Sequence, residues 1–273
     1  MTVEGIRVSS RWLDLREPAD AAARALDLVE HLRGRLPTTG VRVIHDLACG
    51  TGSMGRWLAP LLPGAQRWVL HDRDAELLDV AAVDVPAPAA DGAPVFVETR
   101  RSDITGLRAN DLADATLVTA SALLDLMTRD ELAGLIDVCA SAGCPVLVTL
   151  SVVGRVDLAP ADPLDSRVAA AFDAHQRRTT AAGRLLGPDA VGAAVEGFRR
   201  LGAEMLVRPS PWRLDAAETE LAAEWLAGWV EAACDQDPEL VSDARSYARR
   251  RLAEARAGRL DVTVGHADLL VLP

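Results

Sequence analysis

The 273-residue sequence contains no lysine, and all 29 of its basic residues are arginines. This absence excludes a lysine Schiff base with pyridoxal phosphate or with a carbonyl substrate, and it excludes the lysine of a P-loop. Tyrosine is almost absent, since Tyr247 is the single one in the chain. A Tyr-x-x-x-Lys pair, which would support hydride transfer with a nicotinamide cofactor, therefore cannot form.

Cysteine is scarce and long apolar runs are missing. Cys49, Cys139, Cys144 and Cys234 form no C-x-x-C pair, so their spacing favours neither zinc nor a disulfide framework and is typical of reduced, buried thiols. The N-terminus lacks a basic segment followed by an apolar one, and no apolar run approaches membrane-spanning length. The sequence therefore predicts a cytoplasmic protein with neither a metal ion nor a membrane partner.

Positive charge is in deficit as well. The formal net charge is −11 and no basic patch stands out, which disfavours a nucleic-acid partner. Nearly half of the residues are apolar, so the chain can bury a sizeable core. The length favours one large α/β domain with additions.

The most informative segment of the chain is Val41–Trp57, which reads VRVIHDLACGTGSMGRW. An apolar run of strand length leads into a turn with Gly50, Gly52 and Gly55, and a helical pattern follows. Glycines let the backbone approach a ligand closely, and the start of the helix offers free N–H groups. The segment therefore predicts a cradle for a nucleotide-like ligand.

Two acids make this weak G-x-G-x-x-G signal more specific. Asp46 lies near the end of the first strand, where a carboxylate repels a pyrophosphate and attracts a cationic amino-acid group. Asp72 lies twenty residues after Gly52, at the end of a second apolar strand, where a carboxylate can bind both ribose hydroxyls. The pair suits an adenosine that is joined to a positively charged tail.

The segment Asp46–Gly52 resembles the first motif of the class I S-adenosylmethionine-dependent methyltransferases, and His71-Asp72-Arg73-Asp74 resembles their acidic second motif. The resemblance covers roughly residues 41 to 208 and the C-terminal strand. It implies S-adenosylmethionine as methyl donor and S-adenosylhomocysteine as product. The acidic charge and the large pocket-forming insertions favour a small-molecule acceptor, with O or N favoured over C as the methylated atom. The resemblance also implies a set of donor-binding residues: Asp46, Ala48, Cys49, Gly50, Gly52, Asp72, Arg73, Asp103, Ile104 and Ala120.

The fold class that follows is α/β: a Rossmann-like, doubly wound, mostly parallel seven-stranded sheet with an antiparallel last strand. We expect a single domain with four segments. They are an N-terminal helical cover (1–40), a donor-binding core (41–211), a helical insertion between the last two strands (212–258) and the final strand (259–273). The helical additions are also candidates for a homodimer contact.

Two residues are candidates for acceptor chemistry. The resemblance places the segment after the fourth strand beside the acceptor, which makes Asp125 the first acid to consider; an exposed loop acid is the alternative. The region 154–187 shapes the acceptor pocket in the family, and there Phe172, His175 and Thr179 share a helical face beside Arg178. His175 is the first choice for a base, because a histidine near neutral pKa can take a proton; a histidine at the surface or the edge of the core, beside two solvated arginines, is the alternative.

Other residues receive a structural interpretation. Trp12, Arg16 and Arg24 are candidates to face the donor site, but packing for the tryptophan and solvation for the arginines are favoured for each. Leu221, Trp225 and Trp229, spaced by four, are favoured as core, and the arginines of residues 245–256 as a solvated face. Gly265 predicts a β-bulge, with His266 packed beside it.

Two rival functions stay open at this point. A non-catalytic protein could keep the donor cradle for structure or regulation, and the intact glycines and acids argue against this without excluding it. An oxidoreductase with a nicotinamide dinucleotide is less favoured, because Asp46 would repel the pyrophosphate and lysine is absent.

Overall fold

The computed structural model describes residues 8–273. Its main sheet contains these strands, in chain order: β1 Arg42–Leu47, β2 Gln66–Asp72, β3 Val95–Arg101, β4 Leu117–Ser121, β5 Val146–Ala159, β6 Glu204–Pro209, β7 Trp212–Leu214 and β8 Asp261–Leu272. The α-helices of the described part are α1 Ser10–Ala23, α2 Leu26–Arg33, α3 Ser53–Leu58, α4 Ala75–Val83, α5 Arg129–Ala142, α6 Asp165–Gln176, α7 Ala190–Arg200, α8 Thr219–Gln236 and α9 Val241–Arg256.

The strand order is β3-β2-β1-β4-β5-β8-β6, and the short β7 pairs with the first part of β8. The first five strands run parallel, and β8 runs antiparallel to both β5 and β6. The predicted fold class is therefore confirmed, with β7 as an eighth strand inside the predicted helical insertion. The order reverses between β1 and β4, and ligands of such sheets bind at the carboxyl ends of the strands beside this point.

Local sequence signals account for the regular core. The predicted capping box starts α5, because the Thr128 hydroxyl accepts from the Glu131 N–H while the Glu131 carboxylate accepts from the Thr128 N–H. Apolar side chains from both faces of the sheet fill two large clusters, one beneath α5 and α7 and the other beneath α2 and α3. The sheet is thus covered on both faces, as an alternating strand–helix pattern predicts.

The fifth strand departs from its predicted length. The apolar run of residues 145–152 predicts a strand of that length, but β5 continues to Ala159, where it pairs with β8. The pairing of β5 with β8 shifts register across Gly265, where the sequence predicted a bulge, and again across Asp268, but at Gly265 the extra residues lie on β5 around Gly154, whose φ is +70°. The extension includes Val156, which lines the cavity described below.

The additions after β5 differ from prediction at two positions. The helix α6 ends at Gln176, so Thr179 lies in a two-residue strand and does not share the helical face of Phe172 and His175. Arg251 of α9 is 1% exposed rather than solvated, and it pairs with Asp165. Within residues 8–273, no helix is both long enough and apolar enough to cross a membrane.

Candidate functional site

A cavity of about 830 Å³ runs along the carboxyl edge of the sheet. One half, here the glycine-turn half, is lined by residues that follow β1, β2 and β3: Ala48, Gly50, Asp72, Arg73, Asp74, Ser102, Asp103 and Ile104. The other half, here the aromatic half, is lined from α1, β5, α6, β7, α8 and β8: Trp12, Arg16, Leu150, Val152, Val156, Phe172, Trp212, Trp225, Val264 and His266. Asp125 follows β4 and lies between the two groups in the strand order.

Strained backbone marks the edge on which the cavity lies. Ala48 after β1, Ala122 after β4 and Leu150 in β5 have φ values of +53°, +50° and +57°. Side chains rarely adopt this left-handed region, and such residues cluster at functional sites. All three line the cavity, so the neighbouring strands β1, β4 and β5 each bend sharply where they meet it.

The glycine turn has the backbone that its sequence predicted. Gly50 and Gly52 have φ values of +56° and +86°, and Gly52 directly precedes α3. A Cβ atom at Gly50 would come within 2.9 Å of the Leu13 side chain of α1. The ion pair of Arg56 with Glu17 at 2.5 Å joins α3 to α1 as well. The N-terminal helix α1 therefore covers the turn, as the N-terminal segment was expected to do.

Asp72 joins the second strand to the glycine turn. Its Oδ2 accepts from the Gly50 N–H at 2.9 Å, and its Oδ1 accepts from the Asp74 N–H at 2.9 Å. Each carboxylate oxygen has a second acceptor site, and the residue lines the cavity. Asp72 thus fixes the turn and still presents acceptor capacity to a ligand.

The segment after β3 also meets the glycine-turn half. Asp103 caps a short helical turn, since its Oδ1 accepts from the Thr105 N–H at 3.0 Å and from the Thr105 hydroxyl at 2.8 Å. Asp103 therefore caps a turn, as short polar residues often do, and Asp103 and Ile104 also line the cavity. Arg73 lies on the same wall.

Asp46 lies behind the wall rather than in it. It is 1% exposed, and its Oδ1 accepts from the Thr119 hydroxyl at 2.7 Å, while no described residue gives its Oδ2 a hydrogen bond. Burial raises the pKa of this carboxyl to about 7; Asp72 acts in the same direction, and the Thr119 hydrogen bond and Arg24 oppose it. Cys49 and Ala120 are buried without lining the cavity.

Arg24 is buried, contrary to its predicted solvation. It is 3% exposed, and its Nη2 donates to the hydroxyls of Ser121 at 3.2 Å and Ser53 at 3.4 Å. Among the described residues, its Nε and Nη1 have no hydrogen-bond partner. Burial lowers the pKa of this guanidinium, and Asp20, Asp268 and Asp46 oppose the shift. A buried arginine and a buried aspartic acid, each with a polar atom that lacks a hydrogen-bond partner in the described part of the chain, therefore lie behind the same wall.

Aromatic rings form much of the other half. Trp12 and Trp212 have ring centroids 6.4 Å apart, and Trp225 stacks on the buried Trp229 at 5.2 Å. The core interpretation is correct for Trp229, whereas Trp225 lines the cavity. The Trp212 Nε1–H donates to Asp20 at 2.8 Å. The wall thus offers flat apolar surfaces held by fixed hydrogen bonds.

Arg16 and His266 add polar groups to the aromatic half. Arg16 binds both carboxylate oxygens of Asp20, at 2.9 and 3.1 Å, and lies 4.9 Å over the Trp212 ring. His266 is 5% exposed, and its Nδ1 has no hydrogen-bond partner within residues 8–273. Burial, followed by Arg16, lowers the pKa of His266 to about 3. The imidazole is therefore neutral near pH 7, and it lines the cavity as well as packing beside the bulge.

Asp125 and His175 have different positions. Asp125 lines the cavity, and burial raises the pKa of its carboxyl to about 6 against the opposing charges of Arg16 and Arg178. His175 lies on α6 outside the cavity wall, where its Nδ1 is 3.5 Å from Arg178 Nη1; its helix neighbour Phe172 lines the wall instead. The structure therefore places Asp125, the second choice for a base, at the cavity and leaves His175, the first choice, outside it.

Three residues that line the aromatic half of the cavity were not predicted as site residues from the sequence. Trp212 lies in a segment that was expected to be helical insertion, Trp225 has the helical spacing of core residues, and His266 follows a bulge glycine. The chain order hides their proximity, because residues 12, 125, 212 and 266 meet only when β8 inserts between β5 and β6. The unusual tryptophan content, six residues, was the signal that could have indicated an aromatic wall.

Comparison with known proteins identifies the fold. No protein-family model and no curated protein sequence matches the chain. Among solved structures, the cyclopropane synthase MmaA2 from Mycobacterium tuberculosis matches 97% of this chain and 94% of its own, with a TM-score of 0.51 and 13% identity. S-adenosylmethionine-dependent methyltransferases from Geobacter sulfurreducens and Thiobacillus denitrificans, both in complex with S-adenosylhomocysteine, each cover 98% of this chain and 100% of their own, with TM-scores of 0.47 and identities of 16% and 14%.

The fold is therefore that of the class I S-adenosylmethionine-dependent methyltransferases, as the resemblance of the glycine turn and the second acidic motif predicted. At identities this low the likeness concerns the fold, and the chemistry has to be argued from the residues of the site.

Proposed function

We propose that this protein is an S-adenosylmethionine-dependent methyltransferase that acts on a small-molecule acceptor through O or N. The observation that carries the proposal is the continuity of the cavity: one volume of about 830 Å³ joins the glycine turn and Asp72 to the aromatic half. Such a volume is at the upper end of ordinary ligand pockets and has room for two ligands of moderate size. A methyl donor and an acceptor side by side require this arrangement.

The residues present fit the donor. Asp72, with free acceptor sites, suits the ribose hydroxyls; Asp103 and Ile104 suit the adenine, and Arg73 adds a wall to the same half. Ala48 and Gly50 line this half and allow close backbone approach, whereas Gly52 does not line the cavity and shapes the turn before α3. The unpartnered atoms of Asp46 and Arg24 suit the ammonium and carboxylate of the methionine end, directly or through water. Cys49 and Ala120 are proposed to support these groups from behind.

The bound donor would supply an activated methyl group, so the chain's main task is to position the acceptor. The aromatic half excludes water and holds a flat apolar molecule. Asp125 presents a carboxylate that is half protonated near pH 6 and ionised near pH 7, and an ionised carboxylate can accept the proton that an O or N acceptor loses. His266, neutral in this range, can accept a hydrogen bond but carries no charge.

All four predicted segments contribute to this wall: α1, the core, the insertion with β7 and α8, and β8. We therefore propose that they work as one catalytic unit. The core forms the glycine-turn half, which we propose holds the donor. The aromatic half, which we propose holds the acceptor, depends on the additions.

Asp72→Ala should weaken the binding of S-adenosylhomocysteine by about 1–3 kcal/mol, because the ligand loses a charged hydrogen-bond partner and the Gly50 N–H loses its acceptor. Isothermal titration calorimetry measures this loss. Asp79→Ala, which removes an exposed carboxylate from α4, is the matched control and should bind as the native protein does. An unchanged affinity in Asp72→Ala would refute the assignment, and Asp74 would be tested next.

Titration with NAD in the same experiment tests the rival oxidoreductase. We expect no measurable binding above pH 7, because Asp46, whose pKa is about 7, is then mostly ionised and its buried carboxylate behind the wall repels a pyrophosphate. Binding of NAD together with no binding of S-adenosylhomocysteine would reverse the proposed function. Binding of the latter without transfer to any acceptor would favour a non-catalytic binder.

Asp46→Asn should reduce donor affinity and alter the pH dependence of stability. The folded-state pKa of Asp46 is raised from 3.8 to about 7, so its contribution to stability is complete at low pH and is lost as the pH rises through about 7. The asparagine variant lacks this loss. The melting temperature of the variant relative to the native protein should therefore increase between pH 5 and pH 8. A pH-independent difference would contradict the raised pKa.

A further inference from the structure

Two buried histidines lie side by side on the neighbouring strands β1 and β2 of the sheet. His45 is 0% exposed and His71 is 1% exposed. The distance from His45 Nδ1 to His71 Nε2 is 3.0 Å, so a hydrogen bond joins the two rings. A ring nitrogen buried this deeply requires a partner, and each histidine has a second nitrogen to satisfy.

The hydrogen bonds continue at both ends of the pair. His45 Nε2 lies 3.0 Å from Asp114 Oδ1, and Asp114, whose side chain is 50% exposed, also pairs with Arg67. His71 Nδ1 lies 3.0 Å from the Ser102 hydroxyl oxygen. Ser102 follows β3 and lines the cavity. Four side chains therefore connect an exposed carboxylate to the glycine-turn half, and we call them the His45–His71 chain.

The direction of this chain follows from its exposed end. An ionised carboxylate accepts hydrogen bonds and donates none, and a neutral imidazole carries one N–H. His45 must therefore donate from Nε2 to Asp114, which leaves its Nδ1 as an acceptor for His71 Nε2–H. The remaining His71 Nδ1 is then an acceptor too, so the Ser102 hydroxyl donates to it. The hydroxyl proton of Ser102 therefore points toward His71 and away from the cavity.

The opposite direction would require a second proton on His45. Burial lowers the pKa of His45, with Arg100 and Arg67 acting in the same direction against Asp114. Burial also lowers the pKa of His71 to about 4; His45 and Arg100 add to this, and Asp111 and Glu98 oppose it. Both rings are therefore neutral at pH 7, where the carboxylate end sets the direction.

We propose that the His45–His71 chain makes Ser102 a hydrogen-bond acceptor toward the cavity, so that this wall selects a ligand group that donates, the exocyclic amine of an adenine ring. The inference rests on the proposed function, since it concerns how the donor is recognised. Ser102 determines specificity in this account, and Asp114, His45 and His71 are positioning residues that act through it. A ring with a carbonyl at the same position meets the serine lone pairs and is disfavoured.

Nuclear magnetic resonance of the imidazole nitrogens tests the direction without any ligand. At pH 7, both His45 and His71 should be neutral, with the proton on Nε2 and none on Nδ1. Asp114→Ala removes the carboxylate that holds the His45 proton on Nε2, and the variant should therefore show a mixture of the two tautomers of each histidine. A native His71 that carries its proton on Nδ1 would overturn the proposal, because the Ser102 proton would then be free to face the cavity.

Calorimetry tests the selectivity. S-adenosylhomocysteine and its deaminated analogue S-inosylhomocysteine are the two probes, and the native protein should prefer the former. Ser102→Ala should reduce this preference by about three- to tenfold, the effect of one neutral hydrogen bond. Asp114→Ala should reduce it in the same direction, although Asp114 does not line the cavity. Asp137→Ala, an exposed aspartate of α5, should leave the preference unchanged.

The two levels of the proposal fail in different ways. If the native protein binds neither probe, the proposed function and this inference fall together. If it binds S-adenosylhomocysteine, but Ser102→Ala and Asp114→Ala change only the melting temperature and not the ratio of affinities, the chain is structural and the inference alone is overturned.

Discussion

Asp125→Asn is expected to lower the rate of methyl transfer by about a hundredfold or more, with donor binding unchanged. The carboxylate lines the cavity between the glycine turn and the aromatic half. Asparagine keeps the shape but cannot take a proton from the acceptor. The measurement is transfer of an isotopically labelled methyl group from S-adenosylmethionine, first to small molecules of a cell extract to identify the acceptor, and then at known concentration.

The pH profile gives an independent check on the same residue. Burial raises the pKa of Asp125 to about 6, and a base works only when ionised, so kcat/KM should fall as the pH drops below about 6. The Asn variant should lose this limb. His175→Ala is the matched control, because His175 lies outside the cavity wall. A large loss in His175→Ala with none in Asp125→Asn would restore the histidine as the base.

Asp268→Ala is expected to destabilise the fold by about 3–5 kcal/mol, because three donors lose one shared acceptor. Asp268 is 1% exposed on β8. Its carboxylate accepts from the Ala25 N–H at 2.8 Å, the Leu150 N–H at 2.8 Å and the Ser210 hydroxyl at 2.5 Å. It thereby holds the start of α2, the strained residue of β5 and the end of β6 together.

Chemical denaturation measures this change in the free energy of unfolding. Asp157→Ala, which removes an exposed ion pair with Arg155 on β5, is the control and should cost no more than about 1 kcal/mol. Because Leu150 lines the cavity, the Asp268 variant should also bind the acceptor less well. A loss of less than about 1 kcal/mol in Asp268→Ala would show that water replaces the carboxylate.

The sequence by itself determined the glycine-turn half of the cavity. The apolar run before Gly50, the glycines at positive φ and the acid at the end of β2 are local signals, because strand, turn and helix follow each other in the chain. The alternation of strands and helices likewise predicted the parallel sheet. These features depend on neighbours in sequence, where the 2.0 and 3.6 periodicities and backbone preferences act.

Only the tertiary structure decided the aromatic half of the cavity. The insertion of β8 between β5 and β6 brings His266 beside Trp212 at 5.3 Å and both of them beside α1. Burial, which no local pattern specifies, separates Trp225 at the cavity from Trp229 in the core and raises the pKa of Asp125 while His175 stays outside. A residue's proton affinity and its access to a ligand are set by neighbours distant in the chain. The glycine-turn half depends on residues close in sequence and could therefore be predicted, whereas the aromatic half depends on distant residues and could not.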